Sequence, residues 1–170
     1  MISDLIQIRL LGEKKREENL RFRRFMKSHD HSDRILRRIA QEIEEQIDCT
    51  QCGNCCRVAT ARITERDAGR LTAFLRISPA QFLAQYTAAD PEEGRILRRS
   101  EETGCVFLEG TTCTVYEARP DACQRFPHLV RGSGSIASRM WQFVDRASYC
   151  PIVFNWMEAI KPLTNFKGGC

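Results

Sequence analysis

The 170-residue chain lacks any long apolar segment and any clear export signal. No apolar run approaches the ~18 residues that a membrane-spanning helix needs. The first residues, MISDLIQIRLLGEKKREE, have a short apolar stretch without a basic start or a small-residue cleavage site, unlike a secretory signal peptide. We therefore expect a cytoplasmic protein without a membrane span, in a compartment where thiols stay reduced.

Residues 1–48 contain no cysteine, proline, tyrosine or tryptophan and are dense in charged side chains. In SDRILRRIAQEIEEQI the apolar residues recur at helical spacing, after a candidate N-cap at Ser32 or Asp33. An earlier helix is expected over about residues 3–27, and HDHSD separates the two. We predict a helical N-terminal arm over residues 1–48, and a protein partner bound through this arm is one candidate role.

The net charge of +4 is too small to indicate nucleic-acid binding by itself. Seven basic residues against two acidic ones lie between Arg21 and Arg38. This stretch is either a basic patch for an anionic partner or a solvated helix face that the following EIEE balances. We favour the solvated face and expect no nucleic-acid partner.

Cysteine, in contrast, is abundant, with nine residues. The odd count, the missing export signal and a chain long enough for its own core argue against a disulfide framework. Clustered Cys-x-x-Cys spacing in a reducing compartment favours metal binding or redox chemistry. Cys170 follows KGG at the end of the chain and is not expected to be a ligand. The other eight are the candidate metal ligands: Cys49, Cys52, Cys55, Cys56, Cys105, Cys113, Cys123 and Cys150.

The stretch DCTQCGNCC places four of these thiols together. Its Cys-x-x-Cys-x-x-Cys spacing allows three thiolates to converge on one metal, as in ferredoxin clusters and in zinc sites, so spacing does not choose between iron–sulfur and zinc. Adjacent side chains such as Cys55 and Cys56 diverge in a helix or a strand. This pair favours two centres or one polynuclear site, while a single four-cysteine site with bystander thiols stays open.

Thiolate clusters carry excess negative charge, which nearby donors and cations must balance. Arg57, Arg119 and Arg125 lie within a few residues of the cysteines, and His128 follows Cys123 by five positions. We predict that these four side chains surround the metal site. Ordinary surface charge is the competing interpretation.

The chain after the first cysteines is typical of an α+β fold built from short helices and a small β-hairpin. Thr64 and Ser78 are candidate caps of two helices, and the turn EGTT predicts a hairpin between Cys105 and Cys113. A helical turn after Pro120, a flexible RGSGS loop and a last helix over about residues 152–161 complete the pattern. We expect residues 49–170 to form one domain organised around a cysteine-ligated metal site.

The segments CTQCGNCC, GCVFLEGTTCTVYEARPDACQRFP and CP together form a specific signature. Over about residues 47–154 the chain resembles the YkgJ-type CxxCxxCC family of zinc- or iron-chelating proteins. The resemblance implies that the eight cysteines bind zinc or an iron–sulfur cluster such as [4Fe–4S]. The wider family includes a much longer iron–sulfur enzyme, the flagellin lysine methylase, which uses S-adenosylmethionine.

Three functions follow as candidates. The first is a metal-binding protein that holds zinc or an iron–sulfur cluster. The second is an iron–sulfur enzyme for group transfer, such as S-adenosylmethionine-dependent protein methylation, or for redox chemistry. The third is an interaction module whose fold the metal stabilises.

Overall fold

The computed structural model describes residues 1–168, which form two compact units. The first unit combines Met1–Asp48 with the chain from Pro127 onward, and the second is Cys49–Phe126. The predicted division into residues 1–48 and 49–170 stays a prediction. Within residues 1–168, no helix is both long and apolar enough to cross a membrane.

The described residues confirm the α+β class, with ten α-helices and three antiparallel strand pairs. The helices are α1 Leu5–Lys14, α2 Arg16–Ser28, α3 Asp33–Glu44, α4 Cys49–Cys52, α5 Asn54–Val58, α6 Glu65–Leu75, α7 Pro79–Tyr86, α8 Asp121–Arg125, α9 Ile136–Arg146 and α10 Pro151–Leu163. The strands are β1 Thr87–Asp90, β2 Gly94–Leu97, β3 Arg99–Ser100, β4 Gly104–Cys105, β5 Leu108–Glu109 and β6 Thr112–Cys113, and a 3₁₀ turn covers Tyr116–Ala118.

The first unit is a bundle in which α2 packs on α9 while α1 and α3 pack on α10. The helical character of residues 1–48 is confirmed, but the single helix expected over residues 3–27 is wrong, because the chain breaks at Lys15 into α1 and α2. Gly12 allows α1 to pack closely against the chain that follows α9, because a Cβ at this position would lie 2.5 Å from the Ser148 Cα. Ile8, Phe22 and Met26 are fully buried, so these helices share a core with the C-terminal ones.

The loop before α9 is more ordered than the flexible loop that the sequence suggested. The Arg37 guanidinium donates hydrogen bonds of 2.7–3.1 Å to the carbonyls of Leu129, Val130, Gly132 and Gly134. Helix α9 itself was not predicted, although Ser135 caps it and its buried residues have helical spacing. The carbonyls of this loop are therefore held by the Arg37 guanidinium.

The second unit has a small apolar core between α6, α7 and the hairpins. The predicted caps are confirmed, since Thr64 with Asp67 and Ser78 with Gln81 form capping boxes at the starts of α6 and α7. The β5–β6 hairpin is also confirmed, whereas the β1–β2 pair was not anticipated. The core residues are Ile63, Leu71, Phe82, Leu97, Phe107, Val115 and Ala118.

Candidate metal centre

The first four cysteines lie on two very short helices, α4 and α5, with Gly53 between them. Gly53 has φ = 59°, a left-handed conformation that side chains other than glycine rarely adopt. A Cβ at this position would lie 2.9 Å from the Thr111 carbonyl oxygen in the turn of the β5–β6 hairpin. The glycine thus reverses the chain inside the cysteine motif and allows it to approach the strand that carries Cys113.

Gly104 makes the matching approach on the other side of α5. Its φ is 77°, and a Cβ there would lie 2.8 Å from both the Arg57 Cα and the Cys56 carbonyl oxygen. Cys105 follows directly, on strand β4. Close contact between the Gly104 backbone and the Cys56–Arg57 backbone therefore brings Cys105 beside Cys56.

The backbone makes the same hydrogen bond after Cys105 as after Cys113. In each case the backbone N–H two residues later, that of Phe107 or Val115, donates a hydrogen bond to the cysteine sulfur. Phe107 is 4% exposed and Val115 is 1% exposed, so both side chains are fixed in the core. Amide donors aimed at sulfur stabilise thiolates and orient them as metal ligands.

The fourth segment carries Cys123 on helix α8, and Asp67 sets the position of this helix. Asp67 is 1% exposed, and its carboxylate accepts a 2.9 Å bond from the Asp121 N–H in the first turn of α8. The same carboxylate accepts bonds from the Thr64 N–H at 3.0 Å and from the Arg70 guanidinium at 2.6 Å. Burial opposes its ionisation, but these donors outweigh burial and lower the pKa of Asp67.

Asp67→Asn should destabilise the protein by about 3 kcal/mol at pH 7. The substitution removes the charged acceptor of the Arg70 guanidinium and of the Thr64 and Asp121 N–H groups. The folded-state pKa is lowered, so this stabilisation is fully present above the ordinary value of 3.8 and is lost as pH falls through the folded-state pKa. Urea unfolding followed by circular dichroism from pH 7 to pH 3 measures both effects. Glu65→Gln, on the exposed side of the same turn, is the matched control. Equal stability of Asp67→Asn and wild type at pH 7 would contradict this role.

Four thiols from these segments share one region of the second unit; we call Cys56, Cys105, Cys113 and Cys123 the thiol quartet. Each of the six possible pairs among them interacts electrostatically. The Cys55 thiol donates a hydrogen bond to the Cys56 sulfur. Cys56 interacts with all three distant thiols of the quartet.

The quartet thiols divide into one acidic and three weakly acidic groups. The hydrogen bond from Cys55, together with the charges of Arg57 and Arg119, lowers the pKa of Cys56 to about 7. Burial raises the pKa of Cys105 to about 11 and that of Cys123 to about 12, and it also raises the pKa of Cys113. Half-buried thiols beside one another are costly to ionise without a cation, and a bound metal ion would remove this cost.

The donor set fits zinc or an iron–sulfur cluster, because both take thiolate ligands. Across residues 1–168, however, no group of three or more His, Cys, Asp or Glu side chains is positioned to hold a metal ion as it stands. The electrostatic interactions of the quartet act over a longer range than a metal–sulfur bond. The sulfurs would have to draw closer for metal ligation.

Arg57 joins the two halves of this region through backbone carbonyls. Its guanidinium donates to the Cys52 carbonyl at 3.1 Å and to the Gly110 carbonyl, in the β5–β6 turn, at 2.5 Å. The Arg57 carbonyl in turn accepts a 2.7 Å bond from Arg99. This arginine links the cysteine motif to the hairpin of Cys113, besides acting on Cys56 through its charge.

Arg57→Lys should weaken metal binding by about tenfold, because an ammonium cannot span both carbonyls as the planar guanidinium does. Arg66→Lys is the control, since Arg66 lies exposed on α6 of the same unit. Competition for zinc with a chromophoric chelator gives both affinities. Equal zinc affinity in the two variants would show that the bridge has no part in binding.

The other predicted site residues make further contacts, and Arg119 also acts on Cys56 through its charge. Arg125 forms an ion pair of 3.5 Å with Asp121, and Arg119 stacks on Tyr116. His128 and Cys150 belong to the first unit, where Cys150 precedes α10 and is 5% exposed. In the second unit, Cys49 is exposed while Cys52 and Cys55 are half-buried. Cys170 lies outside the described residues.

Several residues that build this region were not singled out in the sequence. Gly53 and Gly104 are required by positive φ and close backbone contact, which a single sequence does not reveal. Phe107 and Val115 were not assigned a role, although each follows a cysteine by two positions. Asp67 pairs with the predicted cap Thr64 at the start of α6, but its bond to the start of α8 depends on tertiary packing.

Comparison with known proteins agrees with the cysteine pattern. Residues 48–151, more than half of the chain, match the family model CxxCxxCC, described as "Putative zinc- or iron-chelating domain". No solved structure matches the chain. The chain therefore belongs to the CxxCxxCC family.

Proposed function

We propose that this protein binds zinc or an iron–sulfur cluster through its eight cysteines, with the thiol quartet forming one centre. The main support is the convergence of four thiols from separate segments of the second unit, in which all six pairs interact. Amide donors at two of the sulfurs match the way proteins orient thiolate ligands. The other cysteines of the second unit, Cys49, Cys52 and Cys55, would serve a second centre or extend the first, and Cys150 stays the predicted eighth ligand.

The adjacent pair supports a division of the ligands. Cys56 interacts with each other member of the quartet, and Cys55 donates to the Cys56 sulfur. A thiol that donates to a quartet sulfur while pointing along a different direction of α5 is suited to a neighbouring centre. We therefore assign Cys55 to the second group of cysteines.

Metal binding would also supply folding free energy in this proposal. The quartet residues lie on α5, β4, β6 and α8, and the strand pairs β3–β4 and β5–β6 have only two residues in each strand. Such short elements have little stability of their own. Ligation would tie them together, so the metal-free protein should unfold at a lower temperature than the loaded one.

Anaerobic purification from medium that contains both iron and zinc tests the proposal. Metal analysis should give near-stoichiometric zinc or iron per chain. An absorption band in the visible blue would identify an iron–sulfur cluster, and a colourless protein with zinc would identify a zinc site. A chain that retains neither metal would refute the proposal.

A further inference from the structure

Five aromatic rings of the first unit meet where α2 ends and the chain turns towards α3. The Phe25 ring centroid lies 4.0 Å from that of His29 and 5.7 Å from that of His31. The Phe166 ring, in the segment after α10, lies 5.4 Å from Phe25 and 4.9 Å from the fully buried Phe22. We call Phe22, Phe25, His29, His31 and Phe166 the ring cluster. It holds the segment after α10 against the end of α2.

The two histidines of the ring cluster differ in what a proton would do. His29 is exposed, and its Nδ1 lies 2.9 Å from the Phe25 carbonyl oxygen, so an N–H group there has an acceptor. His31 is half-buried, and its Nε2 is fully enclosed without a hydrogen-bond partner among residues 1–168. Neutral His31 can carry its proton on Nδ1, whereas the cation carries an N–H group on both nitrogens. Protonation of His31 therefore encloses a charged donor without an acceptor, which costs free energy.

The charges around the ring cluster add to this cost. Burial lowers the pKa of His31 below its ordinary value of 6.5, the charge of His29 lowers it further, and Asp30 opposes the shift. At the start of α3, Asp33 is half-buried and accepts a 3.1 Å hydrogen bond from the Ile136 N–H. Other ionisable side chains along α2, α3 and the segment after α10 are exposed to solvent: Arg24, Lys27, Arg34 and Lys167.

We propose that His31 makes the ring cluster a pH-sensitive latch, which opens when His31 is protonated and releases the segment after α10 from α2. The imidazolium Nε2–H gains water as its acceptor only when the cluster opens. Because the folded-state pKa is lowered, the stability that neutral His31 contributes is fully present above pH 6.5 and is lost as pH falls through the folded-state pKa. Opening uncovers Phe22 and Phe25, apolar surface of the helical arm. The latch lies in the first unit and needs no bound metal.

Hydrogen exchange of the full chain, followed by mass spectrometry from pH 7.5 to pH 5, tests the inference. Wild type is compared with His31→Phe at each pH, so the intrinsic pH dependence of exchange cancels. Peptides from the end of α2 and from residues 160–168 should lose about three- to tenfold more protection in wild type, since one proton changes the opening equilibrium by at most tenfold per pH unit. His31→Phe keeps a ring in the cluster but cannot be protonated. His29→Gln, in the same turn, should keep the loss because His31 still titrates.

Circular dichroism at pH 7.5 checks that His31→Phe is folded, and His31→Gln, which also cannot be protonated in this range, takes its place if it is not. The imidazole Cε1–H signal of His31, identified by its absence from the variant, should titrate below pH 6.5 in wild type. Equal loss of protection in wild type and the variant, or full protection of wild type down to pH 5, would overturn the inference. A His31 that titrates at or above pH 6.5 would overturn it as well.

Discussion

Gly104→Ala should weaken metal binding by about 10- to 100-fold, because it forces strand β4 away from α5. An added Cβ would lie 2.8 Å from the Arg57 Cα and from the Cys56 carbonyl oxygen. Both neighbours are backbone atoms, so the collision cannot be relieved by a side-chain rotation. The displacement falls between Cys56 and Cys105, two members of the thiol quartet, and should prevent their sulfurs from meeting on one metal.

Gly94→Ala provides a close control for this substitution. Gly94 has φ = 79°, almost the same as the 77° of Gly104, but nothing lies within 4 Å of its added Cβ. Gly94→Ala should therefore lose about 1–2 kcal/mol of unfolding free energy through backbone strain alone. Its metal affinity should be unchanged. Zinc competition and thermal unfolding on both variants separate strain from collision. Equal zinc affinity in the two variants would show that the contact between β4 and α5 does not assemble the centre.

Cys56→Ser should abolish the metal centre of the thiol quartet, whereas Cys55→Ser should preserve it. Cys56 interacts electrostatically with Cys105, Cys113 and Cys123. A serine hydroxyl is a much poorer ligand than a thiolate for zinc or an iron–sulfur cluster. The expected result is a loss of one metal ion or cluster per chain from Cys56→Ser, with the quartet centre retained in Cys55→Ser.

Cobalt(II) substitution makes this comparison spectroscopic. Sulfur-to-cobalt charge transfer reports thiolate ligation directly, so wild type and Cys55→Ser should share the quartet band and Cys56→Ser should lack it. Cys170→Ser, which changes the cysteine outside the described residues, should keep full metal content. Identical losses from Cys55→Ser and Cys56→Ser would argue that both thiols serve a single centre.

Local sequence signals predicted much of the fold. The capping residues Thr64 and Ser78 begin their helices as expected, and the EGTT turn closes the β5–β6 hairpin. Such signals depend on a few neighbouring residues and elementary backbone chemistry. The eight candidate ligands were predicted from the cysteine pattern together with the family resemblance, and the family match over residues 48–151 supports zinc or iron chelation in general.

Features that depend on contacts between distant residues could not be predicted. Helix α9 has an amphipathic pattern, but it was not predicted. The glycine-rich stretch before it was expected to be a flexible loop, and the hydrogen bonds from Arg37 to its carbonyls join residues that are distant in the sequence. The same is true of Asp67, whose bond to Asp121 spans 54 positions. The roles of Gly53 and Gly104 depend on which backbone atoms lie close to each glycine. Composition and periodicity do not contain this information.

X-ray absorption at the metal edge of the anaerobically loaded full chain tests the central claim most directly. A thiol quartet predicts a coordination sphere of sulfur alone, with distances of about 2.3 Å for zinc. The sulfur signal should fall, or the metal content with it, in Cys105→Ser and Cys123→Ser, which replace quartet members on β4 and α8. A bound metal surrounded mainly by nitrogen and oxygen, unaffected by these two substitutions, would contradict the account.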